Sequence, residues 1–177
     1  MAGRYEPKDV DLIFRGLNNA NESDRAVIAV AASLVEFALE QVIAVRLRAP
    51  SGKTEMEKLF TQNGILGTFS EKIWAAYFLK IVGPTARRDI DLIREIRNQA
   101  AHDMNPISFS STTEIASRCR ELQLAGDAMA DGKAPTDPRR RYLVAAAFFA
   151  SNLMMRAGDE EAEISNAFIG RAPSLDR

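Results

Sequence analysis

The chain has one cysteine and one histidine among its 177 residues. A lone Cys119 cannot close an intrachain disulfide, and no cysteine pair exists for a zinc site. With a single histidine besides, a metal site would rest on carboxylates and carbonyls almost alone, so neither a metal nor another cofactor is expected. An excess of one charge sign is also missing. The formal net charge is -1, which argues against a protein that coats nucleic acid through bulk electrostatics. Long uninterrupted apolar runs are lacking too. The nearest approach, Ala26 to Leu47, is broken by Ser33, Glu36, Glu40, Gln41 and Arg46, and reads as too polar for a span of about 20 residues in lipid. The segment Met1-Ala2-Gly3-Arg4-Tyr5-Glu6 has no apolar core of the kind a signal peptide needs. The expectation is a cytoplasmic protein with no membrane association.

What is present is ordinary for a folded domain: 46% hydrophobic and 27% charged residues. The length suits one domain, large enough to remove about 70% of its unfolded surface from water. The reading is a single helical domain over 1–177, with a core from about 7 to 169, a solvated loop at 126–137 and a frayed tail at 170–177.

No segment alternates with period two for long enough to predict a strand, so the fold class is all-α. The spacing of Val10, Ile13, Phe14 and Leu17 predicts a short amphipathic helix from Pro7 to about Leu17. Ser23 is suited to cap the next helix, with Asp24 in its first turn. That helix, about 24–48, carries Val27, Ile28, Val30, Leu34, Val35, Phe37, Leu39, Val42, Ile43 and Leu47 around nearly its whole circumference. A helix apolar on most sides is buried on most sides, so the other five or six pack around it. Pro50-Ser51-Gly52 ends it, and Thr54 is expected to cap a short helix through Phe60. Gly64 and Gly67 flank Ile65 and Leu66 in what reads as a tight loop pressed into the core. Further helices are predicted from about Glu71 to Val82, Thr85 to Asp103, Thr113 to Leu124 and Arg139 to Arg156, with Ile107 to Ser110 extended. Asp137 caps the last of these and Pro138 occupies its first turn. Ile73, Trp74, Tyr77, Phe78 and Ile81 are expected in the core rather than as a base-stacking platform. Arg139-Arg140-Arg141, Arg87-Arg88 and Arg118 with Arg120 are expected to be solvated.

The one candidate chemical centre surrounds His102. Histidine alone titrates near neutrality when unperturbed, and here it ends a helix that also presents Arg94, Arg97 and Asn98. Residues Arg94, Asn98 and His102 step by four along one stripe. Arg97 and His102 stand about 140° apart on an ideal helix. They share a site only at a distorted helix end or across a dimer cleft. The core helix offers a polar strip of its own, Ser33, Glu36, Glu40 and Gln41, and a carboxylate on a mostly buried helix needs a cation. Arg94 and Arg97 are the expected partners of Glu36 or Glu40, which would make Glu36, Glu40, Arg94, Arg97, Asn98 and His102 one structural cluster. Arg94 and Arg97 can alternatively hold the phosphate of a nucleotide or sugar phosphate.

Three blocks, Asn21-Glu22-Ser23-Asp24-Arg25 with Ala31-Ala32-Ser33-Leu34-Val35-Glu36, then Gly64 to Ile73, then Ile93 to His102, resemble the mannitol operon repressor family, in order and at its spacing. Asp137-Pro138-Arg139 and the apolar helix after it resemble the family's end. The resemblance implies a non-enzymatic transcription regulator that acts through a protein partner, as a homodimer. Direct DNA binding is not implied, since no helix-turn-helix signature or basic arm is present. Arg97, Asn98 and His102 also resemble the motif of the wider HEPN superfamily. That resemblance implies the rival function, a metal-independent ribonuclease with RNA as substrate and a site between two protomers. There His102 would move the ribose 2'-hydroxyl proton and Arg97 would stabilise the phosphate's charge.

Overall fold

The computed structural model describes residues 7–19, 22–47, 53–129 and 131–158. It is all-helical, with seven helices among the described residues: α1 (Pro7–Leu17), α2 (Asp24–Arg46), α3 (Lys53–Phe60), α4 (Phe69–Phe78), α5 (Pro84–His102), α6 (Thr113–Glu121) and α7 (Pro138–Gly158). The predicted tail at 170–177, the end of the core near 169 and the break at Pro50-Ser51-Gly52 lie outside the described residues.

Helix α2 is the centre. Val27, Ile28, Ala31, Ala32, Val35, Ala38, Leu39, Val42 and Ile43 are buried along it, against α7, α5, α4 and α1. Its burial is less complete than its composition suggests, because Val30, Ser33 and Val45 remain exposed. By length and composition alone α2 could cross a membrane, but half of that stretch is buried within the fold. Helix α7 lies alongside α2 in the same direction: Arg139 meets Asp24, and the buried Tyr142 hydroxyl donates to the Ile28 carbonyl at 3.1 Å.

The caps explain where the helices begin. The Ser23 hydroxyl accepts from the Ala26 N–H, and the Asp137 carboxylate accepts from the Arg140 N–H at 2.7 Å, each satisfying a donor the helix leaves open. Helix α4 starts two residues earlier than the sequence suggests. Thr68 is its cap, in a capping box with Glu71, which holds the Glu71 carboxyl below the usual range through the Thr68 backbone N–H and hydroxyl. It ends at Phe78, four residues early, because Lys80 takes φ 57° and turns the chain toward α5. Thr54 lies within α3 rather than capping it. Helix α6 stops three residues short, at Glu121, and residues 107–110 form a loop anchored by the buried Phe109. The 126–137 stretch is largely solvated, with Gly126 buried at its start.

Gly64 and Gly67 do serve a tight loop, through close approach rather than backbone angle. A Cβ on Gly67 would stand 2.5 Å from the Thr61 carbonyl oxygen, and one on Gly64 2.7 Å from that of Leu59. Leu66 packs on the core while Ile65 points out.

Candidate functional site: the C-terminal end of α5

Helix α5 buries Ala86, Asp89, Ile90, Ile93, Ile96 and Ala100, which turns Arg94, Asn98 and His102 to the outer side. Exposure rises along that stripe, from half-buried Arg94 and Asn98 to an exposed His102. Arg94 Nε donates to Asp91 Oδ1 at 2.7 Å, with Glu95 at 3.9 Å from its Nη2. Half-buried Arg97 donates from Nη1 to Asn98 Oδ1 at 3.2 Å. Beyond them, Arg118 of α6 reaches Gln99 at 2.6 Å and Glu95 at 3.4 Å. The His102 side chain has no hydrogen bond or ion pair among the described residues, so no side chain orients its ring as a general base requires.

The end of the helix is clamped from a distance. Arg25, in the first turn of α2, donates to the carbonyls of Ala100, Asp103 (2.9 Å) and Asn105 (2.7 Å). A guanidinium there satisfies carbonyls that α5 leaves open and complements its negative end. Its neighbour Asp24 accepts from the Phe109 N–H at 2.8 Å and pairs with Arg139 of α7. Arg139 also donates to the carbonyls of Leu17 (3.2 Å), Asn19 (2.9 Å) and Glu22 (3.1 Å). Asp24 and Arg25 thus tie the histidine-bearing helix end, the 107–110 loop and α7 to the start of α2. Sequence reasoning assigned Arg25 no role, although it stands in the same block as the capping Ser23.

The expected single cluster divides in two. Glu36 and Glu40 pair with Lys72 of α4, at 2.7 and 2.6 Å, and not with Arg94 or Arg97. The reason is position: Lys72 falls on the α4 stripe of Phe69, Ile73 and Ala76 that packs against α2, and is only 3% exposed. Burial pulls the Lys72 pKa down, but the hydrogen bonds and charges of Glu36 and Glu40 outweigh it, and the ammonium is held above its ordinary range. A helical-wheel reading places Lys72 in the core, the signal that would have found it.

Three further expectations change. Trp74 and Phe78 are 44% and 72% exposed and not core residues, because the inner face of α4 is filled by Phe69, Ile73 and Ala76. The arginine triplet is not simply solvated: Arg139 is the clamp just described, and Arg141 gives two donors to the Leu122 carbonyl at 3.1 and 2.7 Å. Of the other basic pairs, Arg87 lies over Trp74, Arg88 pairs with Glu121 at 3.0 Å and Arg118 reaches Glu95. Cys119 is buried, and burial pushes its thiol up to about 12, an inert packing group.

Among the described residues no three His, Cys, Asp or Glu side chains converge as a metal site. Compared with known proteins, the chain matches no family model, no curated protein and no solved structure, so its likeness to the mannitol operon repressor family rests on the sequence blocks alone.

Proposed function

We propose that this protein is a non-enzymatic regulator that acts by contacting a partner protein, most simply as a homodimer, in the manner the likeness to mannitol operon repressors implies. The observation that carries this reading is the pairing of charges at the middle of α5, around Arg94 and Glu95. Arg94 is matched by Asp91, and Glu95 by Arg118. A surface of alternating, neutralised charges suits a protein partner, whereas a nucleic-acid surface keeps its cations free for phosphates.

The rival reading, a metal-independent ribonuclease, draws on one observation: His102 is exposed and uncommitted at a clamped helix end, one turn beyond Asn98. A second protomer would have to bring Arg97 to it. Cleavage of RNA in the presence of a chelator, comparing the natural chain with His102→Ala at equal folding by circular dichroism, separates the two. No cleavage by either protein is the expected result. Cleavage lost only in the variant overturns the regulatory reading. Sedimentation equilibrium tests the dimer, and a monomer at all concentrations removes that part.

A further inference from the structure

Helix α4 carries two apolar faces, and only one is used by the fold. The outer one places Trp74 and Phe78 in a stacked pair, with centroids 5.6 Å apart and planes 24° apart, and sets Tyr77 edge-on to Trp74 at 6.1 Å. The Arg87 guanidinium lies over this group, 4.7 Å from the Trp74 centroid and 5.7 Å from that of Tyr77. Lys80, two residues past Phe78, is exposed. Among the described residues neither Arg87 nor Lys80 forms an ion pair, whereas Arg88 and Arg94 on the same helix do. The capping box at Thr68 and the turn at Lys80 fix both ends of α4, so the aromatic side chains stand on a rigid support.

We propose that this face docks an acidic segment of a partner protein that carries apolar anchors. The inference rests on the protein-contact reading above and gives the partner its chemistry. Large aromatics and arginine on a firm backbone are the residues that dominate protein interfaces. Leucine or phenylalanine side chains pack against the open edges of Trp74 and Phe78, while Asp or Glu neutralises Arg87 and Lys80. A nucleic acid fits less well. Phe78 and Arg87 already engage the Trp74 ring, so a base would compete with both for it. Asp91 follows Arg87 by one turn, and the next two cations along α5, Arg88 and Arg94, are already paired.

Trp74 is the only tryptophan in the chain, so its fluorescence reports this face alone. The full chain is titrated with a synthetic helical peptide bearing Glu on one side and Leu and Phe on the other, and with its Lys-for-Glu counterpart. A saturable change is expected with the acidic peptide. Arg87→Glu should weaken it about tenfold or more and reverse the preference toward the basic peptide, and Phe78→Ala should weaken both. Both substitutions are at exposed or half-exposed positions, and circular dichroism checks folding. Three results overturn the proposal: no saturable change, equal binding by the natural chain and Arg87→Glu, or tighter binding of oligouridylate than of the peptide. Failure here leaves the regulatory reading standing. His102-dependent RNA cleavage removes that reading whatever the peptide does.

Discussion

Lys72 holds Glu36 at 2.7 Å from a position only 3% exposed, and Glu40 shares the same ammonium at 2.6 Å. The cation is the buried member and the two carboxylates, one helical turn apart on α2, are half-buried. Removing one partner of such a set costs more than the set contributes, because the remaining charges stay desolvated and uncompensated. Lys72→Met should therefore destabilise the fold by about 3 kcal/mol in urea unfolding. Adding Glu36→Gln and Glu40→Gln should recover much of the loss. The sign at high pH follows from the raised Lys72 pKa: the contribution is intact below 10.5 and fades as pH rises through the folded value. Stability of the natural chain, relative to the triple variant, should fall above pH 10.5.

A second ionisable group acts in the same direction at lower pH. Asp89 is fully buried on α5, where Oδ2 accepts from the Leu124 N–H at 2.8 Å and Oδ1 has no hydrogen-bond partner among the described residues. Desolvation raises its pKa from 3.8 to about 6, against the pull of the backbone at Leu124 and Gln123. A folded pKa above the unfolded one means that the folded state holds the proton more tightly. Stability from this group is greatest below pH 4 and declines as pH rises through 6, by about 3 kcal/mol in all. Asp89→Asn keeps an acceptor for Leu124 but cannot ionise. Urea unfolding between pH 4.5 and 7.5 should show the natural chain losing stability relative to this variant. Parallel curves would count against it.

Arg139 joins four acceptors in the stretch from the end of α1 to the start of α2: Asp24, and the carbonyls of Leu17, Asn19 and Glu22. Arg139→Ala leaves half-buried Asp24 with the Phe109 N–H but no cation, and takes a donor from the carbonyls of Leu17, Asn19 and Glu22, at about 2 to 3 kcal/mol. Arg139→Lys should restore little, since an ammonium cannot span the same fan of acceptors. Hydrogen exchange should localise the damage, with α1 amides losing protection before those of α7.

The parts of the fold legible in the sequence are those set by local periodicity and caps. Val10, Phe14 and Leu17 face inward on α1, Ser23 and Asp137 cap their helices, and α2 forms the centre, because each depends on neighbours within one or two turns. Pairings across the chain were not legible. Nothing local says that Arg139 will meet a carbonyl 122 residues away, or that Lys72 rather than Arg94 will reach Glu36. Periodicity also cannot say how wide a helix's covered face is. Trp74 and Phe78 continue the apolar stripe of Ile73, but Phe69, Ile73 and Ala76 fill the covered face and leave them outside. Within the candidate site, the stripe of Arg94, Asn98 and His102 was visible, and the clamp by Arg25 was not.

Gly64 and Gly67 lie in the loop that carries the chain from α3 into α4. Its glycines could be there for a left-handed backbone or for lack of space, and the two reasons differ in consequence. The only glycine at positive φ among the described residues is Gly132, at 68°, so Gly64 and Gly67 are there for space. A methyl at Gly67 meets carbonyl oxygens of Thr61 and Gln62 at 2.5 and 2.7 Å. These belong to backbone that cannot swing aside as a side chain can. Either the 61–67 turn opens or Thr68 shifts, and Thr68 supports the capping box that starts α4. Gly67→Ala should cost about 1 to 3 kcal/mol. It should also weaken the cap, so that α4 amides exchange faster than in Gly132→Ala, where a methyl has open space and only the backbone angle resists. Equal exchange of α4 in the two variants would mean that the turn absorbs the methyl without passing strain to Thr68.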